Sequence, residues 1–299
     1  MIGSRPPVTA AFVATRLAAC SLAWGSGFLF IKLMHGEVEP IILASCRGML
    51  GAVTIGLWLW TLGQGPWPKR GEIVPWLILG TLSGWIPNIL VAFALQRMDS
   101  GPAALIQASG PLITAIGSHM LFAEERLTPR RIAGVVIGII GVGFLIGPRA
   151  LEGGATSLGI LAMFGVAMGY ASTNIYTRTI KNADPARLAF GQQAVSGIVA
   201  TVLAMVIAGP AAYAPAGNHI WANLALGILA TALPMAIFMN LIRAAGPTRA
   251  GMTGYTVPAV ATLIGVVVLG ERLTSWQMLG GLIVLLGVAL VTTAKARQP

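Results

Sequence analysis

Ten long apolar runs, separated by short polar stretches, make up nearly the whole chain. They lie near residues 12–34, 40–61, 73–96, 102–122, 130–148, 157–177, 186–209, 220–242, 248–269 and 275–293. A helix crosses the hydrocarbon core of a bilayer with ~20 apolar residues, about the length of each run. Strand alternation is absent and the runs are about twice as long as a barrel strand, which excludes a β-barrel. The pattern predicts an all-α membrane protein of ten transmembrane helices, with short connections and neither a soluble domain nor a disordered tail.

The ten runs form two sets of five. Glu125-Arg126-Leu127-Thr128 returns as Glu271-Arg272-Leu273-Thr274, and the spacing persists around it. Lys32 matches Arg178, Trp24 matches Tyr170, Pro40 matches Pro185, Gly101-Pro102 matches Gly246-Pro247, and Gly134 and Gly141 match Gly280 and Gly287. Two five-helix repeats are expected, over residues 1–150 and 151–299. Five is odd, so the second copy starts on the opposite membrane face and the copies are inverted. Inverted duplication of apolar segments is the usual build of a secondary transporter, with the substrate site in a central cavity between the halves.

The basic residues orient this layout. With both termini cytoplasmic, the inner face carries Arg5, Arg16, Lys69, Arg70, Arg126, Arg130, Arg131, Arg178, Lys181, Arg187, Arg243, Arg249, Lys295 and Arg297. Only Lys32, Arg97, Arg149 and Arg272 fall outside, and Arg47 lies within a helix. That asymmetry follows the positive-inside rule. Trp58, Trp60, Trp67, Trp76, Trp221 and Trp276 fall at or near helix ends, as an interfacial belt requires, whereas Trp24 and Trp85 lie near mid-membrane.

Composition agrees. Charged residues are 9% and hydrophobic ones 56%, with a mean hydropathy of +0.81, too little charged surface for a soluble domain of 299 residues. The net charge of +10 does not point to nucleic acid, because the basic residues stand singly or in small groups between apolar runs. Cys20 and Cys46 lie inside apolar runs and make neither a disulfide framework nor a metal site. Leu17-Ala18-Ala19-Cys20 looks like a lipoprotein cleavage box, but Arg16 interrupts the run before it and the run continues past it, so an uncleaved first helix is expected.

Two five-helix repeats, each closing on a Glu-Arg-Leu-Thr turn before a Gly-rich last helix, resemble the drug/metabolite transporter superfamily in its EamA-repeat branch. The mid-helix prolines Pro111 and Pro258 and the stretch Leu22-Ala23-Trp24-Gly25-Ser26 carry the same likeness. Within that branch the chain is most similar to bacterial exporters of aromatic amino acids of the YddG type. The resemblance implies a carrier of the bacterial inner membrane, a monomer or homodimer surrounded by lipid, that exports amino acids or similar small metabolites by alternating access. Efflux of drug-like or other metabolites, with or without proton coupling, is the alternative.

Candidate site residues fall into three groups. Pro87, Pro111, Pro234 and Pro258 sit inside the third, fourth, eighth and ninth helices and free the carbonyls of Ser83, Gln107, Ala230 and Gly254. Such interruptions at matching places in two repeats mark either hinges beside a substrate site or shaped packing. Arg47, Asn88, Gln107, Ser109, Asn174, Gln192 and Tyr255 are polar groups at membrane depth. They either line a cavity that binds a zwitterion, with Arg47 or the amides taking a carboxylate, or bond helix to helix. Trp24, Trp85, Tyr170 and Tyr255 are deep aromatics on which a flat apolar body can stack, or they are packing residues. None of the nine acidic residues is placed in mid-membrane, so no proton or sodium coupling is expected and the carrier reads as a uniporter. His119, near a helix end, is assigned to packing. The Glu-Arg-Leu-Thr turns are expected to be structural, with Thr128 and Thr274 capping the helices they precede. The glycines from Gly134 to Gly143 and at Gly280-Gly281 suit close helix packing or a dimer face. No nucleophile motif with a deep histidine and no ligand cluster occurs, so neither enzyme, cofactor nor metal is expected.

Overall fold

The computed structural model describes residues 9–122, 127–146, 155–180, 183–245 and 250–293. They form ten helical spans. In the first half these are α1 (Ala10–Leu33), α2 (Pro40–Thr61), α3 (Ile73–Leu95), α4 in two pieces (Ser100–Gln107 and Gly110–Leu121) and α5 (Pro129–Ile146). In the second they are α6 (Ala155–Thr177), α7 (Pro185–Ile207), α8, α9 (Thr253–Val268) and α10 (Ser275–Thr293). α8 starts at Ile220–Leu224, widens over Ala225–Ala232 and continues as Leu233–Ala245. Seven of the helices are long and apolar enough to cross a membrane by length and composition. Their outer faces carry exposed Ile139, Val206, Leu263 and Leu282, as lipid solvation allows.

Polar residues at the helix starts do what their spacing demands. The Thr9 hydroxyl accepts from the Phe12 N–H at 3.2 Å, and the Asp184 carboxylate from the N–H groups of Ala186 and Arg187 at 2.8 and 3.1 Å, with Pro185 next in line. Thr128 accepts from the Arg131 N–H at 3.3 Å. Thr274 and Gln277 close a reciprocal capping box at 2.9 and 3.2 Å.

Inversion is visible in how equivalent helices meet. A Cβ on Gly134 of α5 would lie 2.8 Å from the carbonyl oxygen of Gly287 of α10, and one on Gly280 would lie 2.8 Å from the carbonyl oxygen of Gly141. The pair 134–287 maps onto the pair 280–141 when the repeats are exchanged, as a two-fold axis requires of antiparallel helices. α2 and α7 pack the same way, Gly48 against Gly197 and Gly56 against Phe190. These contacts consume the glycines. The Gly-rich faces are therefore an internal seam and not a dimer face, although Gly143 has open space around it.

The prolines act unequally. α3 and α8 each widen into a π-type turn ahead of a proline, at Thr81–Trp85 before Pro87 and at Ala225–Ala232 before Pro234. In α3 the backbone leaves helical values at Gly84 (φ −110°, ψ −109°). α4 is interrupted at Ala108–Ser109, where tighter bonds run from Ser109 to Ile106 and from Leu112 to Ser109 just before Pro111, so the continuous run 102–122 is two helical pieces. Pro258, by contrast, sits inside an unbroken α9. Of the expected Trp belt, Trp60, Trp67, Trp221 and Trp276 are exposed, but Trp76 is buried. It packs edge-on to Phe190 with ring centroids 5.7 Å apart, in space that Gly191 leaves open.

Candidate substrate cavity

A cavity of about 350 Å³ lies where the two repeats meet. α1 supplies Trp24, Gly27, Phe28 and Ile31, spaced at i, i+3, i+4 and i+7 so that they share one face. α2 supplies Arg47, α3 Ser83, Asn88 and Val91, and the broken part of α4 supplies Gln107, Ala108, Gly110 and Pro111. Tyr170 and Asn174 come from α6, Gln192 and Gln193 from α7, Thr231, Met235 and Phe238 from α8, and Thr253, Gly254, Val257 and Pro258 from α9. α5 and α10 contribute nothing to the lining. They are the rigid seam behind it.

Four polar side chains of the wall region, Arg47, Thr231, Gln192 and Asn88, are held by neighbours, whereas the buried Gln193 Oε1 has no hydrogen-bond partner among the described residues. The Arg47 Nε donates to the Thr231 hydroxyl at 2.8 Å, and that hydroxyl donates in turn to the Leu226 carbonyl at 2.8 Å. Leu226 lies in the widened turn of α8, so the turn that precedes Pro234 also fixes the cavity cation. The Gln192 amide donates to the Ser83 carbonyl at 3.4 Å, the carbonyl that Pro87 frees. Asn88 donates to the Ser196 hydroxyl at 3.4 Å. Trp24 leans on Phe238 with ring centroids 5.3 Å apart and planes tilted by 60°, giving an aromatic corner in the wall.

Seven expected binding residues meet at the cavity: Trp24, Arg47, Asn88, Gln107, Tyr170, Asn174 and Gln192. Three do not line it. Trp85 turns its indole N–H to Thr81 at 3.3 Å within the α3 turn, and buried Ser109 spends its hydroxyl on the Ile106 carbonyl at 2.7 Å. Tyr255 donates to the Val288 carbonyl at 3.0 Å, anchoring α9 to α10. Pro111 and Pro258 reach the cavity, whereas Pro87 and Pro234 shape it from behind. Phe28, Ile31, Val91, Thr231 and Phe238 went unread in sequence. The signal for the α1 pair was available: both share a helical face with Trp24.

On one side the cavity residues Ile31 and Val91 join a buried core with Met34, Val38, Leu95 and Ala103. Beyond Ile31 and Val91, the Glu271 carboxylate from the second Glu-Arg-Leu-Thr turn accepts from the N–H groups of Ser100 and Gly101, at 2.9 and 3.1 Å, where α4 begins. Leu273 packs near Gly101, and the Gln96 amide donates to the Val38 carbonyl at 3.5 Å. His219 meets Glu37 at 2.7 Å on the same side. Glu125 and Arg126, from the first turn, lie outside the described residues, as do Gly246 and Pro247. His119 is exposed and accepts from the Leu127 N–H at 3.3 Å, in line with a local packing role.

Away from the cavity, Arg187 forms a two-pronged pair with Glu72 at 3.2 and 2.9 Å, tying the start of α7 to the start of α3. The Arg187 guanidinium, helped by the Lys69 N–H, holds the Glu72 carboxyl below its ordinary value of 4.5 against the opposing effect of burial. A lowered carboxyl contributes stability above its unfolded value and loses it as pH falls through the folded one. Wild-type thermal stability in detergent is expected to fall below about pH 4.5, and Glu72→Gln is expected to flatten that decline. Arg187→Gln leaves a buried carboxylate with one partner fewer and is expected to cost about 2–3 kcal/mol at neutral pH. An unchanged melting temperature in that variant would show that the pair is ornamental.

An inverted pair of five-helix repeats enclosing a polar cavity, with interrupted helices beside it, is the build of a multi-pass membrane transporter. The chain belongs to the EamA-like transporter family, whose model matches residues 11–147 and 157–293. It is 20% identical to the uncharacterized transporter YoaV of Bacillus subtilis over 94% of this chain and 97% of that protein. It is 25% identical to the uncharacterized inner membrane transporter YedA of Escherichia coli K12, over 95% and 91%. A Salmonella typhimurium protein described as a probable amino-acid metabolite efflux pump is 25% identical over 89% and 90%. A crystal structure shares the fold with a TM-score of 0.67 at 18% identity, over 94% of this chain and 96% of that one.

Proposed function

We propose that this transporter exports small amphipathic metabolites, foremost aromatic and other neutral amino acids, across a bacterial inner membrane by alternating access and without a coupling ion. The observation that carries the reading is the make-up of the cavity wall: one cation, five side-chain amides, and a tilted Trp24–Phe238 pair, with no carboxylate among the described lining residues. A carboxyl group finds Arg47, a flat side chain finds the aromatic wall, and a coupling proton or sodium ion finds no intramembrane acid. The Salmonella relative's description as an efflux pump for amino-acid metabolites supports the same class. The one-sided distribution of basic residues supports a reading with both termini, and the cavity end away from Glu271, on the cytoplasmic side. Cargo would enter from there while Glu271 keeps the far side shut.

Counterflow in liposomes tests this. Purified protein loaded with unlabelled phenylalanine is expected to accumulate labelled phenylalanine transiently, with the proton gradient collapsed. Trp24→Ala and Gln107→Ala are each expected to weaken half-saturation about tenfold, the equivalent of about 1.4 kcal/mol of lost contact. Flux that vanishes with the proton gradient would overturn uniport. Normal flux in both variants, with the fold intact, would overturn the site.

A further inference from the structure

Arg47 is the only formal charge on the cavity wall among the described residues. An arginine side chain stays protonated at every accessible pH. Its hydrogen-bond partner is the neutral Thr231 hydroxyl, and among the described residues it takes part in no ion pair. The empty site therefore carries a net charge of +1. Alternating access requires a moment when the cargo is sealed from water on both sides, and an uncompensated charge is costly in such a medium. A zwitterion leaves the site at +1 and sets its ammonium a few ångströms from a guanidinium. The groups left to solvate that ammonium are neutral oxygens of Asn88, Gln107 and the glutamines of α7, which offer dipoles and no counter-charge. A monoanion brings the site to zero.

We infer that the cavity reads a carboxylate and does not read an ammonium, so that its preferred cargo is an organic monocarboxylate of net charge −1 with a flat apolar body, carried electrogenically. This rests on the transporter reading above and reorders the substrates within its class of small amphipathic metabolites: the neutral amino acid put foremost there becomes the weaker relative of such an anion. The absence of a coupling acid then has a physical counterpart. A cell interior is negative, and that potential drives an anion outward, tenfold in concentration ratio for each ~59 mV when one charge moves. An exporter built on Arg47 needs no proton or sodium site.

3-Phenylpropanoate, phenylalanine and phenethylamine share one ring and differ in charge: −1, zero and +1. In liposomes at neutral pH, corrected for protein-free vesicles, 3-phenylpropanoate is expected to compete for phenylalanine counterflow about tenfold better than unlabelled phenylalanine does. Phenethylamine is expected not to compete. With potential clamped by potassium and valinomycin, a tenfold outward gradient of 3-phenylpropanoate should show zero net flux at an inside-positive potential of ~59 mV. Phenylalanine flux should ignore the potential. Arg47→Gln should abolish the voltage-dependent flux and reduce the preference for the anion to none. The wild-type voltage measurement stands even if that variant does not fold. If phenylalanine counterflows while 3-phenylpropanoate is not carried, or moves without regard to potential, the charge inference is wrong and the transporter reading survives. If folded protein moves none of the three, both are wrong.

Discussion

Glu271→Ala is expected to open the far side of the cavity. The Ser100 and Gly101 N–H groups lose the carboxylate they share, two charge-assisted hydrogen bonds of about 1.5–3 kcal/mol each before water replaces them. Even half of one such bond shifts a two-state balance several-fold toward the state in which that side is open. The readout is a cysteine at Val91, with Cys20 and Cys46 replaced by alanine, labelled from outside by a membrane-impermeant maleimide. Labelling about tenfold faster than in the Glu271 parent is expected, and Glu271→Asp should fall between them. Equal rates in Glu271→Ala and its parent would mean that the carboxylate is a static cap.

The largest loss of stability is expected from Gly141→Val. A Cβ there would lie 2.5 Å from the Val284 backbone nitrogen and 2.9 Å from the Ile283 carbonyl carbon, so two backbones must separate before any side chain fits. Overpacking costs about 1–3 kcal/mol when side chains can yield, and here none can, so a loss of about 3 kcal/mol or more is expected. Gly143→Val, two positions along the same helix, meets nothing within 4 Å and serves as the control. Melting temperature in detergent separates the two. Similar values for both variants would show that α5 and α10 slide apart easily and that the seam is not what holds the halves together.

Span number, inversion and caps were legible because each depends on local or periodic features. Apolar length gives a span, an odd repeat gives inversion, and Thr-x-x-Gln gives a capping box. The breaks were only half legible. Pro87, Pro111, Pro234 and Pro258 look alike in sequence, yet one opens a new helical piece, two follow widened turns and one sits in a continuous helix. A proline removes one donor wherever it falls. How the backbone absorbs the loss depends on what is near, as when Gln192 from the other repeat reaches the Ser83 carbonyl. The site divided along the same line. Trp24, Arg47, Asn88 and Gln107 reach the cavity, and their signal in sequence was a polar or aromatic group at membrane depth. Trp85, Ser109 and Tyr255 met the same test and found their reason elsewhere, in bonds to Thr81, Ile106 and Val288.

By itself, then, the sequence determined that the chain spans a membrane ten times, as two upside-down copies, with polar groups at a depth where lipid cannot solvate them. Composition and period suffice for that, because the bilayer imposes one length and one rule of backbone satisfaction on every segment. Only the tertiary structure decided which polar groups share a cavity, which merely bond their own helix, and that the second Glu-Arg-Leu-Thr turn latches the first repeat. Those outcomes depend on pairs such as Glu271 with Ser100, 171 positions apart, whose meeting no local pattern encodes.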